Sequence, residues 1–470
     1  MKGFGGDHNN SKKKNHKQSK PSKEELIEIA IKLHLQGKIS EAAKNYQKLI
    51  NNGFKHQIVF SNYGIILRDI GNLKDAELYT RKAIELNPNF VNAHLNLGNI
   101  LKDLGNLKDA ELSTRKAIEL KPDFADANCN LGSILYDLGN LEEAELYTRK
   151  AIKLKPDFAN AHSNLGDILK DLGHIEELIS FSKSTLKSKN INQGCKLRAL
   201  INITIAYLLQ RNFLEFSNTI KKINELKNQG VINTIENQIN KKHAATFSTF
   251  ISSLYPLLEK DNKVSYAKSI PHIGESHCLS FSHQILTIES QYHKIQPVLI
   301  TGGKAWHFAN NKSNRWKSSL NKQIKKHINS DIVFISFGEI DCRKDEGILI
   351  YAINKHKNLL KVCEKTINGY LNHMEKILSP HFSKRYYFGV PAPTMLKKIP
   401  DELDIKRIEM IKIYNSFLKA NVLSMGCFFV DVYQLTADKI GKNNKIYMSD
   451  NTHLSPKSLT MLLKYHLHKP

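Results

Sequence analysis

The 470-residue chain is 41% hydrophobic, carries 69 Lys and Arg against 45 Asp and Glu for a formal net charge of +24, and holds six cysteines. It has no uninterrupted apolar run of the roughly 20 residues that a membrane span needs. The scattered cysteines (129, 195, 278, 342, 363, 427) form no CxxC pair, which argues against a zinc ribbon or a disulfide framework and fits a reducing compartment. The positive charge is mostly lysine spread along the whole chain. With no nucleic-acid-binding motif beside it, that charge argues against specific nucleic-acid recognition.

In chain order, residues 1–22 are basic and polar and lack the apolar core of a signal peptide, so they predict a disordered tail and a cytoplasmic location. Any weak attraction to polyanions or acidic membranes concentrates there. Residues 23–192 are self-similar at an interval of 34. The interval separates Gly64, Gly98, Gly132 and Gly166, and again Gly37, Gly71, Gly105, Gly139 and Gly173. It also separates Ala42, Ala76, Ala110 and Ala144, and Pro88, Pro122 and Pro156. Each unit predicts two helices. One glycine lets helices approach, the second ends the first helix in the left-handed conformation, and the proline stops the second helix. Stacking is obligatory, because no single unit buries its own apolar face.

The period with these residue types resembles the tetratricopeptide repeat (TPR) family over about a third of the chain. Five units follow, at 23–56, 57–90, 91–124, 125–158 and 159–192. The first and last are degenerate, as capping units are; the last has Leu178 in the alanine place and Asn190 in the proline place. The resemblance implies an all-α solenoid whose concave face takes a peptide or protein partner. His94, Asn128 and His162 are candidates for that face, with a ladder of Asn62, Asn96, Asn130 and Asn164; repeat duplication alone would produce the same ladder. Residues 193–262 stay helical in pattern, lose the period, and read as a helical cap and connector.

From 263 to 470 the pattern becomes short apolar runs alternating with helices: KIQPVLITGG, SDIVFISFGE, KRYYFGVPAP and GCFFVDVYQL. Such alternation predicts an α/β domain of three layers around a parallel sheet. Polar blocks close the strands: Gly274-Glu275-Ser276-His277, Thr301-Gly302-Gly303-Lys304, Gly338-Glu339-Ile340-Asp341-Cys342-Arg343, and late in the chain Asp450-Asn451-Thr452-His453. In an open parallel sheet these ends converge on one crevice. A serine there is chemically useful if a base and an orienting acid accompany it, and Asp450 and His453 are spaced to act as such a pair.

The order of the four blocks resembles the SGNH (GDSL-type) hydrolases over the last 200 residues or so, with a flavodoxin-like sheet implied. Carried over, the resemblance makes Ser276 the nucleophile, His453 the base and Asp450 its orienting acid. The oxyanion hole would use the N–H of Ser276 and of Gly303. It implies an esterase or acyl-transfer activity on an ester, a carbohydrate O-acyl ester being one class, with no cofactor and no metal. Two positions depart from the family. Glu275 stands where aspartate is usual, and Ile340 stands where an asparagine donates to the oxyanion, a loss that typically costs about 2.7–4 kcal/mol of barrier. Arg343, at the same strand end, and His277, next to Ser276, are the expected substitute donors, and Arg343 is the one expected to take part in the site. Glu339 and Asp341 are expected to fix Arg343 or cap the following helix. The competing reading is a non-catalytic TPR scaffold whose SGNH-like domain has lost activity.

Overall fold

The computed structural model describes residues 22–235, 238–258, 267–395 and 401–470, so the tail expected over 1–22 lies, except for Ser22, outside the described residues. The chain forms two compact units that part between Pro122 and Asp123, inside the periodic region.

The first unit holds three helix pairs: α1 (Lys23–Leu35) with α2 (Ile39–Asn51), α3 (Gln57–Asp69) with α4 (Leu73–Leu86), and α5 (Val91–Asp103) with α6 (Leu107–Leu120). Ser22 and Glu25 close a capping box at the start of α1. The motif alanines Ala42, Ala76 and Ala110 are fully buried between helices. A methyl group on Gly64 or Gly98 would strike the Thr80 or Thr114 hydroxyl of the paired helix, which is why glycine recurs at that place. The turn glycines Gly71 and Gly105 adopt φ of 83° and 80°, the left-handed conformation expected of them.

The second unit opens with two more pairs of the same period, α7 (Ala125–Leu138) with α8 (Leu141–Leu154) and α9 (Ala159–Leu172) with α10 (Ile175–Lys187). Three longer helices follow, α11 (Gln193–Leu209), α12 (Phe213–Asn228) and α13 (Gln238–Leu254). Leu178, the departure from the alanine pattern, is fully buried in the apolar cluster that α11 and α12 complete.

The rest of the unit is built on a seven-stranded mixed sheet of order β2-β3-β1-β4-β5-β6-β7. The strands are β1 (Lys268–Gly274), β2 (Ile285–Ile288), β3 (Gln291–Leu299), β4 (Ile332–Ser336), β5 (Lys384–Phe388), β6 (Phe428–Val430) and β7 (Leu467–His468). Five strands are parallel, and the edge strands β2 and β7 run antiparallel, so the all-parallel expectation is corrected at both edges. The β2–β3 hairpin turns on Glu289 and Ser290, both at positive φ (51° and 65°). That is a two-residue turn without the usual Asn-Gly signature, so the hairpin was not legible in the sequence.

Both faces of the sheet are covered. Val333 and Ile335 of β4 point into one core with α14 (Ala305–Ala309), α15 (Arg315–Ile324), α17 (Leu359–Leu378) and α18 (Glu402–Ser424). Ile332 and Phe334 point into the other core, with α19 (Val432–Thr436) and α20 (Ser458–Tyr465). A short helix, α16 (Ile348–Asn354), precedes α17. An unbroken apolar run such as Ile332–Ile335 in β4 fits a strand buried on both sides. Among the described residues no helix is long and apolar enough to cross a membrane.

Candidate active site

The sheet order reverses direction between β1 and β4, the place where α/β sheets open a crevice at their carboxyl ends. Gly274 ends β1 there. A Cβ on it would come within 2.7 Å of the Ser336 carbonyl oxygen, so only glycine lets the two strand ends close up. Ser276 follows at the first position of a 3-10 helix (Ser276–Phe281), where its N–H has no acceptor within the helix.

Residues 449–454 carry the second part of the site. Asp450 Oδ1 accepts the N–H groups of Thr452 and His453, each at 2.7 Å, which folds the loop tightly. The loop ends are joined by Ser449 N–H donating to the His453 carbonyl and by a bridge between Met448 and Leu454. This turn places His453 Nδ1 2.8 Å from Asp450 Oδ2, and His453 Nε2 2.8 Å from Ser276 Oγ. Burial works against the Asp450 charge, but the bonds from the His453 ring and the two N–H groups outweigh it and lower its pKa. The carboxylate therefore fixes the Nδ1–H tautomer and leaves Nε2 free to accept the serine proton. The Phe250 ring of α13 stacks on His453 at 3.7 Å between centroids. No pattern in the sequence pointed to Phe250.

A buried ion pair lies against Ser276. Glu275 accepts from Ser276 Oγ with one oxygen and pairs with His277 Nδ1 through the other. His277 Nε2 faces the Thr452 carbonyl at 3.1 Å. Because both ring nitrogens face acceptors, His277 must carry two protons. Burial opposes that charge, but Glu275 overrides it and raises the pKa to about 9. For Glu275 burial is again overridden, here by the His277 charge, and its pKa falls. Glu275 and His453 thus compete for one serine proton, and the depressed carboxylate is the poorer base. Glu275, His277 and Glu339 bring three ligand-type atoms within 4.8 Å of one another, but an imidazole that donates from both nitrogens offers no lone pair to a metal.

Three expectations are corrected. Gly303 donates its N–H to the Ile300 carbonyl at 3.0 Å, inside a turn that Gly302 makes at φ 66°, so that N–H is not directed at Ser276. Arg343 is held by Glu339 at 2.6 Å and by Glu346 at 3.4 Å and is not a free donor. Asp341 caps α14 instead of the helix that follows it, accepting the N–H groups of Ala305 and Trp306 at 2.7 and 3.0 Å. Ile340 is 8% exposed and packs as an apolar residue. Arg407 of α18, absent from the sequence reading, reaches Glu339 at 3.3 Å. Together with Glu339, Asn451 and Thr452 it lines a cavity of about 230 Å³ beside the histidine loop.

The repeat candidates are mostly engaged inside the array. Asn62 donates to the Tyr46 hydroxyl, Asn96 to the Ser61 hydroxyl and Asn128 to the Phe124 carbonyl. Asn164 lies 3.6 Å from the Cys129 sulfur. His94 and His162 bond the carbonyls of Pro88 and Pro156 across the inter-repeat turn. Comparison with known proteins bears on this region. Residues 59–90 and 79–111 match the tetratricopeptide repeat family, and residues 98–139 and 132–173 match a TPR repeat. The N-terminal part of the chain carries TPR repeats.

Among solved structures, the chain is similar to the MamA protein (24% identity, 35% of this chain and 90% of that one, TM-score 0.32). It is also similar to YrrB, described as a TPR protein with an unusual peptide-binding site (21%, 43% and 99%, TM-score 0.33). A third is PilF of Pseudomonas aeruginosa (14%, 48% and 96%, TM-score 0.39). No curated protein matches the chain. TPR repeats are protein-interaction repeats, so the TPR region indicates a protein or peptide partner.

Proposed function

We propose that the C-terminal domain is a serine hydrolase or acyltransferase of the SGNH type, acting on an ester, joined to a TPR array that binds a protein or peptide. The observation that carries this reading is the continuous chain from Asp450 through His453 to Ser276, with 2.8 Å at each step. The parallel strands also support it: taken alone in chain order they run 2-1-3-4-5, the flavodoxin-like order. In the reaction Ser276 Oγ attacks the ester carbonyl as its proton passes to His453 Nε2. Asp450 stabilises the imidazolium, and the same proton then leaves with the alcohol. Water or a second hydroxyl takes the acyl group from the serine. The 230 Å³ cavity beside Thr452 is the space available to one side of the ester.

The test is labelling of the full chain by a fluorophosphonate, which phosphonylates an activated serine. Labelling that vanishes in Ser276→Ala is the expected result, and no labelling of folded protein would overturn the reading. One observation favours the non-catalytic alternative. With Ile340 in the donor place and the Gly303 N–H engaged, the Ser276 N–H remains as the oxyanion donor among those expected from the family pattern. On that alternative the chain is a TPR scaffold, and the unlabelled outcome is its signature.

A further inference from the structure

A cavity of about 540 Å³ opens between α14, α16 and the first half of α17, lined by none of the serine-site residues. Trp306 and Tyr351 form an angled corner of it, with ring centroids 5.0 Å apart and planes at 51°. Both are accessible, at 36% and 38%. Three exposed lysines, Lys357, Lys361 and Lys365, line the same cavity, and among the described residues no carboxylate does. The walls are firm. A Cβ on Gly369 would come within 2.9 Å of the Ala309 carbonyl oxygen, so α17 lies directly against α14. The Trp306 backbone is held in turn by Asp341.

We propose that this cavity binds an acidic oligosaccharide, with the apolar face of one sugar ring on Trp306 and its anionic groups on the lysines. Three cations sharing one cavity without a counter-charge call for an anionic occupant. Their arrangement says which kind. Lys361 and Lys365 are four residues apart on α17, about 6 Å along the helix, and Lys357 stands just before its N-cap Asn358. That spacing suits charges carried on successive units of a chain and not the adjoining phosphates of a nucleotide. The volume falls within the range of small-ligand sites, roughly 300–1,000 Å³. A single aromatic corner also lacks the succession of stacking platforms that a single-stranded nucleic acid uses. The inference does not rest on the serine chemistry, since the cavity and its ligand are the same if Ser276 is inert.

Calorimetric titration of the full-length Ser276→Ala chain with trigalacturonate separates the two readings. Saturable binding is expected, weakened by salt and about tenfold weaker in either Lys361→Ala or Lys365→Ala, the loss of one charge-assisted contact. Trp306→Ala is expected to remove it. The lysines are exposed, so their variants keep the fold, which circular dichroism checks. No binding of trigalacturonate or of a chondroitin sulfate tetrasaccharide overturns the proposal. So does equal binding of the neutral maltotriose, or binding unchanged in the lysine variants. Tighter binding of oligothymidylate would also overturn it, in favour of a nucleic-acid site.

Discussion

His277 shows how one side chain can tie two distant segments. It donates to Glu275 beside Ser276 and to the Thr452 carbonyl beside His453, so its charge holds the two segments in register. Its folded pKa of about 9 lies above its ordinary 6.5. The stabilisation is therefore complete below about pH 6.5 and is lost as pH rises through about 9. Glu275 runs the opposite way. Its pKa is lowered from 4.5, so its contribution is present above that value and fades as pH falls through the lowered one. The rate of fluorophosphonate labelling is accordingly expected to decline as pH rises through about 9, and His277→Gln, which carries no charge, is expected to lose that limb. A pH–rate profile of the two proteins decides it. Asp450→Asn is expected to lower the acylation rate by about 10⁴-fold with the fold intact, because the wrong tautomer of His453 then faces Ser276. Burst kinetics on an activated ester measure this.

At the level of elements, the repeat is held by a contact between a glycine and a threonine of paired helices. A Cβ on Gly98 collides with the Thr114 hydroxyl, which itself donates to the Ala110 carbonyl at 2.8 Å. Gly98→Ala is expected to cost about 1–3 kcal/mol by overpacking, and Gly98→Ala with Thr114→Ala to recover part of it. Denaturant unfolding of the four proteins gives the coupling. The helix α13 matters for a different reason. Phe250 is fully buried and its ring covers His453, so a connector helix supplies a wall of the site. Phe250→Ala is expected to destabilise the second unit by about 3–5 kcal/mol, read from its thermal transition.

At the scale of the whole molecule, the last two repeat pairs belong physically to the unit that contains the sheet. Arg315 of α15 lies over the Tyr136 ring of α7 at 4.7 Å, among Asp171, Asp137 and Asp167. Tyr136 donates its hydroxyl to Asp171 at 2.7 Å. Ser319 donates to the Asp171 carbonyl, and Lys326 to the carbonyl of Gly173, at the end of α9. The carbonyls that a helix leaves unpaired at its C-terminus are thus satisfied by the neighbouring domain. Arg315→Met removes the cation facing the buried Asp171 and is expected to destabilise the second unit, with faster amide exchange in α7 and α9 as the measurement.

The periodic region was legible because each repeat is specified locally. Its glycines, alanines and prolines recur at 34 residues, and each acts within one unit or on the next. The central strands were equally plain, since strands buried on both faces appear as unbroken apolar runs. The pairing of Ser276 with His453 was open to expectation from the order of four blocks, although 177 residues separate them. Tertiary structure alone decided which polar groups are free. The asparagine ladder bonds neighbouring helices, Gly303 turns its N–H to Ile300, and Arg343 is held by two glutamates. A residue's type states which bonds it can make, while its partners are set by chain segments that meet only on folding. For that reason the sequence could propose candidate residues but not their engagements, nor the Phe250 ring that stacks on His453.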